Sequence, residues 1–166
     1  MQPLSPPDSH HLLAAQGWLE LGNHLEADKE LDEISPTLHA HPDVLETRWQ
    51  IYAKEKRWEA CVDLGLAIMR GDPHRPFGWI HHSYALHELK KTELAYTHLA
   101  TVTEKFPDDW HIPYNLACYC AQLGCLAEAK EWFKKAIALD DKIVPMQGID
   151  DPDLKPLWES ESGPIP

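Results

Sequence analysis

The chain has 166 residues, of which 43% are hydrophobic, enough for the apolar core of one compact domain. Its 15 basic and 27 acidic residues give a net charge of -12. A surface of this charge repels phosphate backbones and anionic lipid heads, which argues against nucleic-acid binding and membrane-surface binding. A basic or apolar protein partner is easier to accommodate.

The sequence features that bear on location point to the cytoplasm. The N-terminal sequence MQPLSPPDSHH lacks a basic segment followed by an apolar one, so we expect no secretory signal. No run approaches the roughly 18 apolar residues that span a bilayer. Four unevenly spaced cysteines favour a reducing compartment over a disulfide framework.

In chain order, residues 1–7 are expected to be disordered, and helical periodicity follows almost without interruption. No segment shows a convincing strand pattern. Pro42, Pro73 and Pro107 punctuate the helices, and Pro107 follows Pro73 by 34 residues. That period is typical of one class of helix-turn-helix repeat. It divides the chain into four contiguous blocks, 8–41, 42–75, 76–109 and 110–143.

In register, the four blocks share small residues and large apolar residues at fixed places. The first block supplies Ala14, Ala15, Trp18, Gly22, Ala27, Leu31 and Ile34, and the second supplies Tyr52, Trp58, Ile68 and Pro73. The third supplies Trp79, Ser83, Leu86, Ala95, Leu99 and Pro107, and the fourth supplies Leu116, Ala117, Gly124, Ala129, Phe133 and Ala136. This pattern resembles that of the tetratricopeptide repeat (TPR) family over most of the chain.

The resemblance implies an all-α fold, a right-handed α-α superhelix (a TPR solenoid) of four helix-turn-helix repeats over residues 8–143. Small residues let the two helices of a repeat approach closely, and large residues fill the space around that contact. One repeat cannot bury its apolar faces alone, so about three or more must stack.

The second block departs from the pattern at two places. Trp49 stands where a small residue is expected, and Gly65 stands where a large one is expected. We hypothesise that the indole of Trp49 fills the volume that Gly65 leaves, since core volume is conserved more strictly than residue identity. The alternative is a locally distorted second repeat. In the fourth block, Pro113 is tolerable only within the first turn of a helix.

Residues 144–166 are predicted to form a C-terminal cap and a flexible tail. The stretch DPDLKPLW can form one short helix with Leu154, Leu157 and Trp158 on one face. Such a capping helix would cover the open apolar flank of the last repeat. In the alternative, the segment docks into a neighbouring molecule, which leaves a homodimer possible.

The cysteines and histidines are interpreted as packing and surface residues, with no metal and no cofactor. Cys118 and Cys120 are two apart on a helix and point away from each other, and zinc-type C-x-x-C spacing is absent. Cys118 is the candidate for an accessible, oxidisable thiol. A metal- or redox-linked site built from His81, His111 and Cys118 remains the least favoured alternative. Phosphate-binding, dinucleotide-binding and nucleophile-elbow motifs are also absent, which predicts no enzymatic activity.

The resemblance also implies a concave groove lined by the first helix of each repeat, where TPR proteins bind peptides or helices. The residues that would give clamp-type binding of acidic C-termini are missing, because those places hold Leu12, Gln16, Thr47, Phe77 and His81. Phe77, Tyr84 and Tyr114 offer apolar contact, although Phe77 could equally pack between repeats. The predicted groove residues are Gln16, Glu46, Gln50, Phe77, His81, Tyr84, His87, His111, Tyr114, Asn115 and Cys118.

Three functions follow from the sequence, in order of preference. The first is a non-enzymatic, cytoplasmic protein-interaction module that binds an apolar or basic segment of a protein partner, with Asp43, Glu46 and Glu88 favouring a basic residue. Histidines in the groove would make that binding sensitive to pH near about 6–7. The second is an export or assembly chaperone that shields an apolar client segment. The third is the metal- or redox-linked protein.

Overall fold

A computed structural model describes residues 3–159, and every regular element in that range is helical. The elements are α1 (Asp8–Glu20), α2 (His24–Asp32), a short 3-10 helix (Pro36–Leu38), α3 (Pro42–Lys54), α4 (Trp58–Gly71), α5 (Pro76–Glu88), α6 (Thr92–Ala100), α7 (His111–Gln122), α8 (Leu126–Leu139), α9 (Ile143–Asp150) and α10 (Lys155–Glu159). The prediction of an all-α chain with four helix-turn-helix repeats and a C-terminal capping helix is confirmed.

Local chemistry accounts for where several helices begin. Pro42 and Pro76 are the first residues of α3 and α5, where the missing backbone N–H leaves no helical hydrogen bond unmade. Asn23 precedes α2, and its side-chain oxygen accepts a hydrogen bond from the Glu26 backbone N–H at 3.3 Å. Pro113 lies in the first turn of α7, as its chemistry requires.

The turns within the four repeats share one backbone conformation. In each repeat, one residue of the turn between the two helices has a positive φ angle. In chain order these residues are Gly22 (76°), Lys56 (56°), Lys90 (62°) and Gly124 (79°). Glycine adopts this left-handed region freely, whereas lysine is strained there. The second and third repeats therefore make the same turn as the first and fourth at a higher conformational cost.

The described contacts divide the chain into two compact units, Met1–Ala85 and Leu86–Pro166. Such a division fits a repeat array, in which each repeat contacts only its neighbours. The first unit holds two apolar clusters. One comprises Leu12, Ala15, Ala27, Leu31, Ile34, Val44 and Ile51, and the other comprises Trp49, Cys61 and Ala85.

Two glycines allow α4 and α5 to approach closely in the first unit. A Cβ on Gly65 would lie 2.7 Å from the Cβ and 2.9 Å from the Cα of His82. A Cβ on Gly78 would lie 2.9 Å from Cγ of Met69. The hypothesis that the Trp49 indole fills the space at Gly65 is therefore wrong, because His82 occupies that space.

Trp49 and His82 are instead held by hydrogen bonds to α4. The indole N–H of Trp49 donates to the Cys61 carbonyl at 3.0 Å, and the Cys61 thiol lies 3.8 Å from the Trp49 carbonyl oxygen. Nδ1 of His82 lies 3.1 Å from the Val62 carbonyl oxygen, and burial lowers the pKa of this imidazole. His82 is therefore one of the histidines that act as packing residues.

In the second unit, the residues after the fourth repeat cover its apolar side. α9 is a helix that the sequence analysis did not predict, and its Gly148 lies against Phe133, where an added Cβ would come within 2.6 Å of Cζ. The chain then turns back, and Leu154 and Leu157 are fully buried. The Trp158 indole N–H donates to the Gly148 carbonyl at 3.1 Å. The predicted short helix is present as α10.

The N-terminal residues bear on the prediction of disorder over residues 1–7. Residues 3–7 are placed, and Leu4 packs against the first apolar cluster of the first unit. The predicted disorder of residues 1–2 and the predicted flexible tail over residues 160–166 lie outside the described residues.

We predict that Lys56→Gly and Lys90→Gly each raise the free energy of unfolding by about 0.5–1 kcal/mol, because glycine relieves the left-handed strain. Chemical denaturation followed by circular dichroism measures this. Lys134→Gly is the control, since this exposed residue lies inside α8 and its replacement lowers stability by about 1 kcal/mol. Loss of stability in both turn variants would contradict the strain at these positions.

We predict that Gly65→Ala lowers the free energy of unfolding by about 1–3 kcal/mol, because its Cβ meets the His82 backbone. Gly17→Ala is the matched control, since its Cβ meets nothing within 4 Å and helix propensity makes the change stabilising. Thermal unfolding of both variants beside wild type tests the prediction. Equal melting temperatures for the two variants would show that α4 and α5 do not depend on the glycine.

Candidate functional site

The predicted groove residues fall into both compact units. Gln16 of α1, Glu46 and Gln50 of α3, and Phe77, His81 and Tyr84 of α5 belong to the first unit. The second unit contains His87, His111, Tyr114, Asn115 and Cys118. The two groups have different surroundings.

A shallow pocket, lined mostly by residues with polar side-chain ends, lies between α1 and α3 in the first unit. Its volume is about 420 Å³, and its lining residues are Gln16, Leu19, Glu20, Gln50 and Lys54. Gln16 and Gln50 are exposed. Amide, carboxylate and ammonium groups together allow this pocket to hydrogen-bond a polar or backbone group of a ligand.

An aromatic cluster lies where α3 and α5 meet. The Phe77 and His81 rings stack with centroids 3.7 Å apart, and His81 meets buried Trp49 edge-on at 4.5 Å. Tyr84 packs edge-on against Trp58 at 5.7 Å. Phe77, His81 and Tyr84 each remain partly exposed. We call these three residues the aromatic face; each ring packs on the core with one part and meets solvent with another.

The carboxylates beside this cluster already have a basic partner from the same chain. Nη1 of Arg75 lies 2.6 Å from Asp43 and 2.7 Å from Glu46. These hydrogen bonds, to Asp43 above all, raise the pKa of the guanidinium, while burial raises the pKa of Glu46. The expectation that Asp43 and Glu46 attract a basic ligand residue needs correction, because such a residue must compete with Arg75.

Three predicted groove residues of the second unit are covered. The exposed fractions of Tyr114, Cys118 and His87 are 8%, 4% and 5%. The Tyr114 hydroxyl donates to Oδ2 of Asp151 at 2.6 Å, and the Cys118 thiol lies 3.8 Å from the same oxygen. The predictions that Tyr114 and His87 are open groove residues and that Cys118 is accessible are therefore wrong, because the C-terminal segment lies over them.

Three of the four cysteines, Cys61, Cys118 and Cys120, are buried and have packing roles. Burial raises the pKa of the Cys118 thiol and raises the pKa of Cys61 to about 11 and that of Cys120 to about 12. All four cysteines are free, and Cys125 is exposed at the start of α8. Thiols with raised pKa are poor nucleophiles at neutral pH.

The remaining two predicted residues sit at the start of α7. Nδ1 of exposed His111 lies 2.8 Å from Oδ1 of Asp109, and its ring stacks on Trp110 with centroids 3.8 Å apart. The Asn115 amide donates to the His111 carbonyl at 2.7 Å. Both side chains are therefore engaged in local contacts, and Asn115 is partly exposed.

Arg75, Asp151 and Asp153 are site residues that sequence reasoning missed. The repeat pattern places Arg75 in a loop but does not predict where its side chain lies. Nothing in the sequence therefore indicated its contact with Asp43 and Glu46. The sequence DDPDL did carry a signal, since Asp151 and Asp153 lie three residues and one residue before Leu154, which is buried. Within residues 3–159, no three His, Cys, Asp or Glu side chains cluster so as to hold a metal ion. No helix in that range is long and apolar enough to cross a membrane.

Repeated helical hairpins of this kind define a class of fold, and comparison with known proteins identifies it. No protein-family model matches the sequence, and a search of the curated proteins finds no match. Among solved structures, TTC0263, a thermophilic TPR protein in Thermus thermophilus, has 18% identity and a TM-score of 0.76, with 92% of this chain and 82% of that chain covered.

Two further structures agree. MamA from Desulfovibrio magneticus RS-1, residues 41 to the end, has 18% identity and a TM-score of 0.69, with 97% of this chain and 100% of that chain covered. PilF of Pseudomonas aeruginosa has 20% identity and a TM-score of 0.74, with 92% and 68% covered. The chain has the tetratricopeptide repeat fold, as the residue pattern predicts.

We predict that Arg75→Gln lowers the free energy of unfolding by about 1 kcal/mol at pH 7, because Glu46 is left half-buried without its cation. A carboxyl group whose folded pKa is raised above 4.5, its unfolded value, weakens the fold when ionised and stops doing so once protonated. The difference in the free energy of unfolding between wild type and Arg75→Gln should therefore narrow as the pH falls from 7 towards 4.5.

Denaturant titrations at several pH values measure that gap. Arg70→Gln is the matched control, because the substitution removes the same charge elsewhere in the first unit, from an exposed arginine in the last turn of α4. A gap that is independent of pH would show that Glu46 does not depend on Arg75.

Proposed function

We propose that the chain is a non-enzymatic protein-interaction module that binds a segment of a partner protein on α1, α3 and α5 of the first unit. The aromatic face carries this proposal: Phe77, His81 and Tyr84 are partly exposed and are held in place by buried Trp49 and by Trp58. The tetratricopeptide repeat fold supports it, because helical repeat arrays present extended binding surfaces.

Preorganisation is the proposed binding mechanism. Stacked Phe77 and His81 and edge-packed Tyr84 keep their orientation without a ligand, so they lose little side-chain entropy when a partner covers them. Large aromatic side chains of this kind contribute most of the energy at many protein interfaces.

The chemistry of the surrounding residues describes the partner segment. Its apolar side chains would lie on the aromatic face, and its polar or backbone groups would meet the pocket of Gln16, Gln50 and Lys54. A basic side chain is disfavoured next to Glu46, since Arg75 already holds that carboxylate. The partner is therefore proposed to be apolar rather than basic.

Two finer parts of the proposal concern location and client type. Four free cysteines suit a reducing compartment, which supports placing the protein in the cytoplasm. The same aromatic face could shield an apolar segment of a client. A partner that becomes insoluble when it is produced without this chain would identify the function as that of an export or assembly chaperone.

We predict that Phe77→Ala/Tyr84→Ala abolishes retention of a partner that the wild-type chain captures from lysate of its source cells, read by quantitative mass spectrometry. The expected loss of affinity is about tenfold or more, as for truncated aromatic hot spots. Tyr96→Ala/Phe106→Ala is the matched control, because it removes the same two residue types from partly exposed places in the second unit.

A second variant guards against loss of the fold. Gln50→Arg changes an exposed side chain in the pocket between α1 and α3 without touching the core, so it should weaken the same interaction while leaving the melting temperature unchanged. If all three variants retain the wild-type partners equally, α1, α3 and α5 are not the binding surface.

A further inference from the structure

The C-terminal segment of residues 151–157, here called the return segment, lies against α7 in the manner of a bound peptide. The Tyr114 hydroxyl donates to Oδ2 of Asp151 at 2.6 Å, and the Gln122 side-chain amide donates to the Asp153 carbonyl at 2.9 Å. Leu154 and Leu157 are fully buried. Polar side chains thus hold the backbone and the carboxylates, while the leucines provide the apolar contact.

The partners of the return segment form one stripe on α7. Tyr114, Cys118 and Gln122 are four residues apart, so they lie above one another on a single helix face. We call this stripe the α7 face. It is the same face that the sequence analysis assigned to partner binding through Tyr114 and Cys118. The groups that it presents to the segment are a hydroxyl, a thiol and an amide N–H, all of which can donate hydrogen bonds.

His87 completes the site from the end of α5. Its Nε2 lies 3.2 Å from Oδ2 of Asp153, and its Nδ1 lies 3.0 Å from the Thr92 hydroxyl. Within residues 3–159, neither Asp151 nor Asp153 forms an ion pair with a lysine or arginine. Neutral donors and one imidazole therefore hold two carboxylates in a chain whose net charge is already -12.

The return segment is short, and its helix cannot hold it in place by itself. Its helix, α10, has only 5 residues, too few to be stable by itself, and Pro152 interrupts the backbone between the two aspartates. Docking therefore depends on Leu154, Leu157, the hydrogen bonds to the α7 face and to His87, and the contact of α10 with α8. Segments held in this way open locally at a smaller free energy than the whole fold.

We propose that the α7 face is a binding site for an acidic, leucine-containing segment, Asp-x-Asp-Leu-x-x-Leu, and that the return segment occupies it as an intramolecular ligand. A partner protein that carries the same arrangement binds there by displacing the return segment. This site lies in the second unit, and the inference does not depend on binding at the aromatic face of the first unit.

Cys118 provides the test, because the return segment covers it. In the full-length chain, Leu154→Ala/Leu157→Ala weakens the segment that should shield this thiol. Maleimide labelling resolved by mass spectrometry should then show Cys118 reacting about tenfold faster or more than in wild type. Cys61, which is buried in the first unit, is the internal control and should not react faster.

A peptide of residues 149–159, IDDPDLKPLWE, supplied in excess should restore the protection of Cys118 in this variant. The same peptide with Asp151→Asn and Asp153→Asn should protect at least about tenfold less well, since the site selects carboxylates. Fluorescence anisotropy of the labelled peptide should show binding to the opened variant and much weaker binding to wild type, whose site is filled.

Two results would overturn the proposal. One is a Cys118 thiol that reacts no faster in the opened variant; the other is a reactive Cys118 that the peptide does not protect. If Cys61 also becomes reactive, the fold itself has been lost, and Asp151→Asn/Asp153→Asn in the full-length chain takes the place of the leucine variant. No gain in Cys118 labelling there would also contradict the proposal.

Discussion

The architecture depends on the close approach of helix backbones at small residues. In the first unit, α4 and α5 come so close that Gly65 and Gly78 have no room for a Cβ. In the second unit, Gly148 lets α9 lie directly on Phe133. Each hairpin can then cover the apolar face of the next, which a single repeat cannot do alone. The aromatic face exists because α5, held in this way, brings Phe77, His81 and Tyr84 to Trp49.

Much of this fold could be predicted from the sequence because each repeat needs small and large residues at the same places, so the pattern recurs several times. Ala15, Ala27, Ala117 and Ala129 are fully buried, as small residues in those places should be. Gly22 and Gly124 indicate two of the left-handed turns in the sequence, whereas Lys56 and Lys90 give no such indication of the other two. Trp49 and Gly65 show the limit of volume arguments, since the Cβ and backbone of His82, and not the Trp49 indole, fill the space beside Gly65.

The candidate site was less predictable, because the repeat pattern fixes where a residue lies on its own helix and not what covers it. Phe77 and Tyr84 lie partly exposed, where the register places them. Arg75 comes from a loop to meet Asp43 and Glu46, and the pattern is silent about loop directions. Tyr114 and Cys118 have the register of groove residues, yet Asp151 covers both after the chain turns back.

The order of the chain gives the return segment a further consequence. The contact between His87 and Asp153 joins residues 66 apart, whereas the helical hairpins form from neighbouring residues. Contacts distant in sequence form later than local ones, because a longer loop must close first. During synthesis, the chain emerges from the ribosome from its N-terminus, so α5 and α7 emerge before residues 151–157 do. The α7 face is therefore exposed for a time during the synthesis of each molecule, before the return segment docks on it.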